Sequence, residues 1–416
     1  FRTIYFYLSY SLQERILKNR CIELGSRVFT EYMSAPYNFL LRHNTQDLVN
    51  NVVIETERLV NRVLGSLINL LRALIVMSAV VLMLFIYTPV VTAFALTFLL
   101  LFAGVFLYWN RKHNRIHGER EAKYRKKAME SVAEGLGAYK EILIAGQNKF
   151  FIERLHRSLE KISSSQRWLA VNQMILWPYL ELVTVAVMVA STLLALNIAK
   201  HNFAEVAPAL ALFAAALFRL KGYVTESMLN FTALRYNMVS VNIICNDLRY
   251  LQKIRAKTTE TKGILQFKKE ISVKNLSFSY ENADKITLQN INLKIQKGST
   301  VAIVGETGSG KSTFLDLLLG VLQADNGKIL LDEIDLKQKT KSWQQKIGFV
   351  PQAIYLLEDS IKANIALGNY PEQVNKDLLM EAIENAELQD FIDELPQGID
   401  TILGEKGLRV SGGQRQ

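Results

Sequence analysis

Gly305-Glu306-Thr307-Gly308-Ser309-Gly310-Lys311-Ser312-Thr313 is the stretch that decides how this chain is read. The apolar run 301–304, Val-Ala-Ile-Val, precedes it and reads as a short buried strand. The run 314–319, Phe-Leu-Asp-Leu-Leu-Leu, follows it and reads as a helix. The pattern G-x-x-x-x-G-K-[ST] between a strand and a helix is that of a phosphate loop. Its composition follows from its chemistry. Gly305, Gly308 and Gly310 let the backbone curl until successive N–H groups converge on phosphate oxygens, and the helix that follows adds its positive end. Lys311 is placed for the β- and γ-phosphates, and the Ser312 hydroxyl for Mg²⁺. A nucleoside triphosphate is therefore the expected ligand.

Outward from the loop, the composition divides the chain. It has 416 residues, half of them apolar, and a formal net charge of +10. Long uncharged runs fill the part before residue 240, and an ordinary soluble composition follows. Four runs are long enough for a hydrocarbon core of about 30 Å, which takes about 20 helical residues. They are 63–87, 90–109, 168–196 and 203–220. A shorter aromatic run, 1–12, reads as the tail of a further span. Between residues 110 and 167 lie fourteen Lys/Arg against seven Glu, flanked on both sides by apolar spans. That is the positive-inside pattern of a cytoplasmic loop, so the basic charge points to a lipid bilayer and not to nucleic acid. The connections 88–89 and 197–202 are short and belong on the opposite side. The long connections, 13–62 and 110–167, carry few helix breakers and read as helices continuing far beyond the membrane.

Within the spans, Arg72 and Glu181 are expensive charges. They read as a helix–helix ion pair or a snorkelling end in preference to a substrate cavity. Trp177-Pro178 reads as a kink or an interfacial anchor. Cys21 and Cys245 make neither a disulfide framework nor a metal cluster. No signal peptide is visible, and the first residue, Phe1, is not a methionine. The stretch 247–270 is polar and reads as a linker. Residues 271–280 and 286–295 alternate like antiparallel strands, and 347–350 reads as another short strand.

A second motif stands at the far end, Val410-Ser411-Gly412-Gly413-Gln414-Arg415-Gln416. A lone SGGQ is weak, but SGGQRQ about a hundred residues after a phosphate loop closely resembles the signature of ATP-binding cassette (ABC) transporters. Other segments match in order. Phe278-Ser279-Tyr280 is similar to the aromatic loop whose ring stacks on adenine. Phe349-Val350-Pro351-Gln352 is similar to the Q-loop, in which Gln352 would ligate Mg²⁺ and sense the γ-phosphate. Ser360-Ile361-Lys362-Ala363-Asn364-Ile365 and Gly404-Glu405-Lys406-Gly407 also fit the exporter type. In the membrane half, Asn44-Thr45-Gln46-Asp47-Leu48 and Gly137-Ala138-Tyr139-Lys140-Glu141-Ile142 resemble the segments around two coupling helices.

The resemblance implies an all-α polytopic membrane domain with long cytoplasmic helical extensions at 1–246. A linker at 247–270 and a P-loop α/β ATP-binding domain at 271–416 would follow. It implies ATP and Mg²⁺ as cofactors. Ser411, Gly412, Gly413 and Gln414 would contact a second nucleotide across a two-fold or pseudo-two-fold pair of half-transporters, expected to be a homodimer. The expected setting is a bacterial inner or plasma membrane with the ATP-binding domain cytoplasmic. The expected activity is ATP-driven export or flipping of a substrate. The basic loops, Arg72 and the Trp177–Glu181 stretch resemble flippases of lipid-linked oligosaccharides; a peptide or lipid exporter and a non-catalytic ATP-binding scaffold are the alternatives.

The pattern departs from the family at both ends. The strand ending in Asp-Glu and the switch histidine that follow the signature in the family are not in this sequence, and all five histidines lie before the nucleotide domain. The expectation is a fragment, lacking at least one span and inactive as an ATPase by itself. Asp332-Glu333 imitates the Asp-Glu pair, but its place before the Q-loop assigns it to a hairpin turn.

Overall fold

In the computed structural model, the described residues are 2–198, 203–255, 265–280, 285–403 and 410–416. The chain forms two compact units. One comprises Phe1–Glu260, Ser277–Gln289 and Val304–Asn326; the other comprises Thr261–Leu276, Asn290–Ile303 and Gly327–Gln416.

The first unit is built on long helices. Helix α1 is Arg2–Met33 and α2 is the short Tyr37–Arg42. Helix α3 runs Thr45–Tyr87. Helix α4 runs Pro89–Gly137, α5 is Tyr139–Ala145, α6 is Asn148–Ile198 and α7 is Phe203–Arg255. Helices α3, α4, α6 and α7 are each long and apolar enough to cross a membrane, and they contain the four expected runs. Residues 2–12 form the opening turns of α1, which is not among those four. The charged connections are helical, as expected: α6 has 51 residues, about 75 Å at 1.5 Å per residue. Pro89 occupies the first turn of α4, where its missing N–H costs nothing. Pro178 stands inside an unbroken α6. The two short helices lie where the coupling segments are expected. Gly146 ends α5 with φ 66°, a left-handed conformation that suits glycine. The connection 199–202 lies outside the described residues.

The apolar faces of α3, α4, α6 and α7 meet in a core of Leu84, Leu99, Val183, Val187, Phe213 and Leu217. Beyond the apolar runs the same helices exchange apolar packing for a buried ionic cluster. Glu121 on α4 is 1% exposed. It accepts from Arg58 of α3 at 2.6 Å, from Tyr236 of α7 at 2.5 Å and from Gln166 of α6 at 3.2 Å, and it pairs with Arg125. Glu55 accepts from Ser240 at 2.5 Å and lies 3.7 Å from Arg125. Four helices thus share one set of charges, and α3 carries two π-type stretches beside it, Asn51–Glu55 and Leu59–Leu64. Arg72 pairs with Glu226, and Lys221 lies 3.9 Å from Glu181. Both intramembrane charges are therefore in interhelical ion pairs.

The sheet has the order β2-β1-β3-β4, with β1 Glu270–Phe278, β2 Leu288–Gln296, β3 Asn326–Leu331 and β4 Ile334–Asp335. Thr287 N donates to Phe278 O and Lys297 N to Lys269 O, so β1 and β2 run antiparallel. Asp332 and Glu333 form the β3–β4 turn, with φ 47° and 78°. Successive positive φ values are what a tight two-residue hairpin requires, so this pair occupies the hairpin the sequence assigns to it. Two expectations are corrected. Residues 301–304 and 347–350 are not strands; Val304 is 90% exposed and Val350 is 70% exposed. A strand exists through its ladder, and among the described residues none pairs with either run. A small helical core completes the second unit. In it Ile361 of α9 (Ile361–Ile365), Leu379 and Ile383 of α10 (Lys376–Asn385) and Ile392 of α11 (Gln389–Asp393) meet Leu403. The expected linker is shorter than 247–270, because 247–255 are the last turns of α7 and Glu270 opens β1. Residues 256–264, within it, and 404–409, which include the Gly404–Gly407 motif, lie outside the described residues.

Candidate nucleotide-binding site

The phosphate loop owes its shape to glycine. Gly308 and Gly310 have φ 84° and 91°, values that L side chains rarely adopt. A Cβ on Gly310 would lie 2.8 Å from Leu288 Cδ2 and 3.2 Å from Thr287 O, so the start of β2 would also have to give way to any larger residue there. Gly310 caps helix α8, Lys311–Leu318. The helix is anchored by buried Thr313, Phe314 and Leu317, while Ser312 faces outward. Lys311 opens α8, and its Nζ donates to Gly305 O at 2.8 Å and Glu306 O at 2.7 Å. The ammonium thus folds back over the loop's own carbonyls. Ser309 N donates to Glu306 O across Thr307 and Gly308.

Tyr280 is brought to this loop. Its hydroxyl lies 3.2 Å from Thr313 Oγ1, and its ring packs edge-on against Phe278 at 5.0 Å. Asp325 holds the segment in place by accepting from Ser279 N at 2.8 Å. Sequence reasoning passed over Asp325; the signal was its position just before Asn326-Gly327, a turn pattern. On α8, burial pushes the Asp316 carboxyl above its ordinary value.

The donor set fits a triphosphate. Two glycines hold the loop in left-handed conformations, the first turn of α8 presents its N–H groups, Lys311 supplies a charge and Ser312 an outward hydroxyl. Gln352 and Ser411–Gln414 belong to the other unit. Gln352 is exposed. Ser411 caps α12, Gly412–Arg415, in a reciprocal pair: Gln414 N donates to Ser411 Oγ at 3.2 Å, and Ser411 N to Gln414 Oε1 at 2.9 Å. A Cβ on Gly412 or Gly413 would meet no atom of the described residues within 4 Å, so they do not demand glycine at either position.

A bundle of membrane-crossing helices continued on one chain by a phosphate loop defines a membrane protein that engages a nucleoside triphosphate. Comparison with known proteins specifies the family. Residues 1–220 match the model of the ABC transporter transmembrane region, and residues 288–416 match the ABC transporter model. The chain belongs to the ABC transporter family. It is similar to an ATP-dependent lipid A-core flippase of Coxiella burnetii, 25% identical over 416 residues, which covers 99% of this chain and 68% of that protein. A protein of the same description from Escherichia coli K12 is 26% identical over 402 residues, covering 94% and 66%. One from Nitrosococcus oceani is 44% identical over 147 residues, covering 35% of this chain and 24% of the relative. The chain thus spans about two thirds of the curated relatives it matches along its whole length. A solved structure described as a bacterial Atm1-family ABC exporter with ATP bound shares the fold, with a TM-score of 0.83, 22% identity and 99% of this chain covered.

Proposed function

We propose that this chain is one half of an ATP-driven exporter that moves an amphipathic substrate, of the lipid-linked oligosaccharide or glycolipid class, across a bacterial inner membrane. The observation that carries the reading is a phosphate loop of the right donor set on the same chain as four membrane-crossing helices. The names of the relatives support a glycolipid over a peptide, since each is described as a lipid A-core flippase. The domain division proposed is a membrane part at 1–246, a linker at 247–270 whose first residues, through Arg255, continue α7, and a nucleotide-binding part at 271–416, on the cytoplasmic side.

In this proposal Lys311 neutralises the β- and γ-phosphates of ATP. The N–H groups from Gly305 through Thr313 hold the phosphate oxygens, and Ser312 with Gln352 ligates Mg²⁺. Tyr280 provides the ring against adenine. Ser411, Gly412, Gly413 and Gln414 serve a nucleotide bound by a second half, which makes a homodimer the working assembly. ATP would supply the free energy of phosphoryl transfer. The role of α2 and α5 is to carry motion of the nucleotide-binding parts to α3, α4, α6 and α7.

The test is nucleotide binding by the full chain in lipid nanodiscs. Lys311→Ala removes the loop's charge, and we expect affinity for a labelled ATP analogue with Mg²⁺ to fall by about tenfold or more. An unchanged affinity would remove the phosphate loop from the proposal. Transport of a fluorescent lipid-linked oligosaccharide into vesicles, set against a labelled peptide, then decides the substrate class.

A further inference from the structure

We propose that a groove between α4 and α7 holds the headgroup of an anionic phospholipid from the cytoplasmic leaflet, as a resident lipid and not as cargo. The groove is a cavity of about 1230 Å³ lined by residues of α4 from Gly104 to Glu119 and of α7 from Arg235 to Asn242. Its position follows from the sequence of α4. The apolar run of that helix ends at Trp109 and the charges begin at Arg111, so one groove straddles the boundary between hydrocarbon and water. At the apolar end, Tyr108 and Trp109 are 83% and 73% exposed. Amphipathic rings of this kind settle at headgroup level. At the polar end stand Arg111, Lys112, Arg115 and Arg235, against Glu119 as the acidic lining residue.

The charge left after internal pairing selects an anion. Arg115 Nε lies 2.9 Å from Glu119 and accounts for that carboxylate. Arg111 and Lys112 are in no ion pair among the described residues. Arg235 lies on the other wall. Its guanidinium carbon sits 5.2 Å from the centre of the Phe231 ring, and its Nε is buried with no hydrogen-bond partner among the described residues. A buried charged donor without an acceptor is costly, and a phosphate oxygen entering the groove satisfies it. The positive-inside rule alone accounts for Lys and Arg near a membrane, but it does not explain an unpaired, stacked arginine on the opposite wall of a cavity. A zwitterionic headgroup brings its own ammonium to a site already rich in cations, whereas an anionic one does not.

The sidedness rests on the orientation proposed above; lipid binding itself does not depend on ATP or transport. The experiment is native mass spectrometry of the full chain, titrated with phosphatidylglycerol or phosphatidylcholine. The wild type should retain phosphatidylglycerol in preference. Arg235→Gln, and separately Arg111→Gln with Lys112→Gln, should weaken that retention by about fivefold for each charge removed. Lys161→Gln, an exposed charge outside the groove, should leave it unchanged, and Arg235→Lys should restore part of it. Thermal melting of each variant confirms that it is folded. Equal retention of the two lipids by the wild type would overturn the proposal. So would variants that bind like the wild type, or displacement of the lipid by inorganic phosphate alone. Failure of nucleotide binding would leave this result standing and strike only the transporter reading.

Discussion

Asp332 shows how one residue with the chemistry of a catalytic acid is committed to architecture. Its carboxylate accepts from the amides of Lys268, Lys269 at 2.7 Å and Glu270 at 2.9 Å, tying the segment before β1 to the β3–β4 turn. Desolvation works to raise its pKa, but those three amides, with the Lys269 ammonium, prevail and hold the carboxyl below its ordinary value. A depressed pKa stabilises the fold above the unfolded value of about 3.9 and loses that contribution as pH falls through the folded value. Asp332→Asn should therefore melt below the wild type at pH 7, and the gap should close as the pH is lowered past 4. A gap independent of pH would mean that the charge is not what matters. The unlike fates of Lys311 and Asp332 have a local cause: one opens a helix after a glycine loop, the other opens a hairpin.

The elements are long helices joined where side chains permit close approach. Helix α4 meets α7 at Gly118, where an added Cβ would lie 2.1 Å from Tyr236 O. That atom is backbone and cannot turn aside, and Tyr236 is a donor to buried Glu121 three residues along α4. Gly118→Ala should push the helices apart and loosen the ionic cluster. Overpacking of this kind costs about 1–3 kcal/mol. Gly222→Ala in α7, with nothing within 4 Å of the new Cβ, should be neutral or slightly stabilising because alanine favours helix. Thermal melting of both variants in one detergent tests the pair, and equal melting temperatures would refute the close contact. The cluster also explains how polar residues are tolerated in the helix cores: Glu121 takes donors from three other helices, and Glu55 takes one from Ser240 and lies 3.7 Å from Arg125. Removing a partner would leave a buried charge uncompensated.

At the scale of the whole molecule, the basic stretch 110–167 and the short connection 197–202 should lie on opposite sides of the membrane. With Cys21 and Cys245 replaced by serine, a single cysteine at Gln147 should react with an impermeant maleimide only from the cytoplasmic side. A single cysteine at His201 should react only from the other. Labelling with the sides exchanged would invert the proposed orientation, and with it the leaflet assigned to the α4–α7 groove.

The features legible in the sequence are those that local chemistry decides. The four apolar runs had to become membrane-crossing helices, because a backbone in hydrocarbon must satisfy its own hydrogen bonds. The glycines at 308 and 310 had to form a loop, because other residues rarely take those φ values. The hairpin at Asp332-Glu333 could be placed by position and turn chemistry. Relations between distant residues were not legible. That Arg72 pairs with Glu226, 154 positions away, or that Glu121 gathers donors from three other helices, leaves no periodic trace in the chain. The runs 301–304 and 347–350 fail as strands for a related reason: an apolar run has the propensity, but a ladder needs a neighbour that only the tertiary fold can bring. The sequence by itself determined the membrane helices and the phosphate loop. The tertiary structure decided which charges are paired, which apolar runs become strands, and where Arg235 keeps an N–H without an acceptor among the described residues.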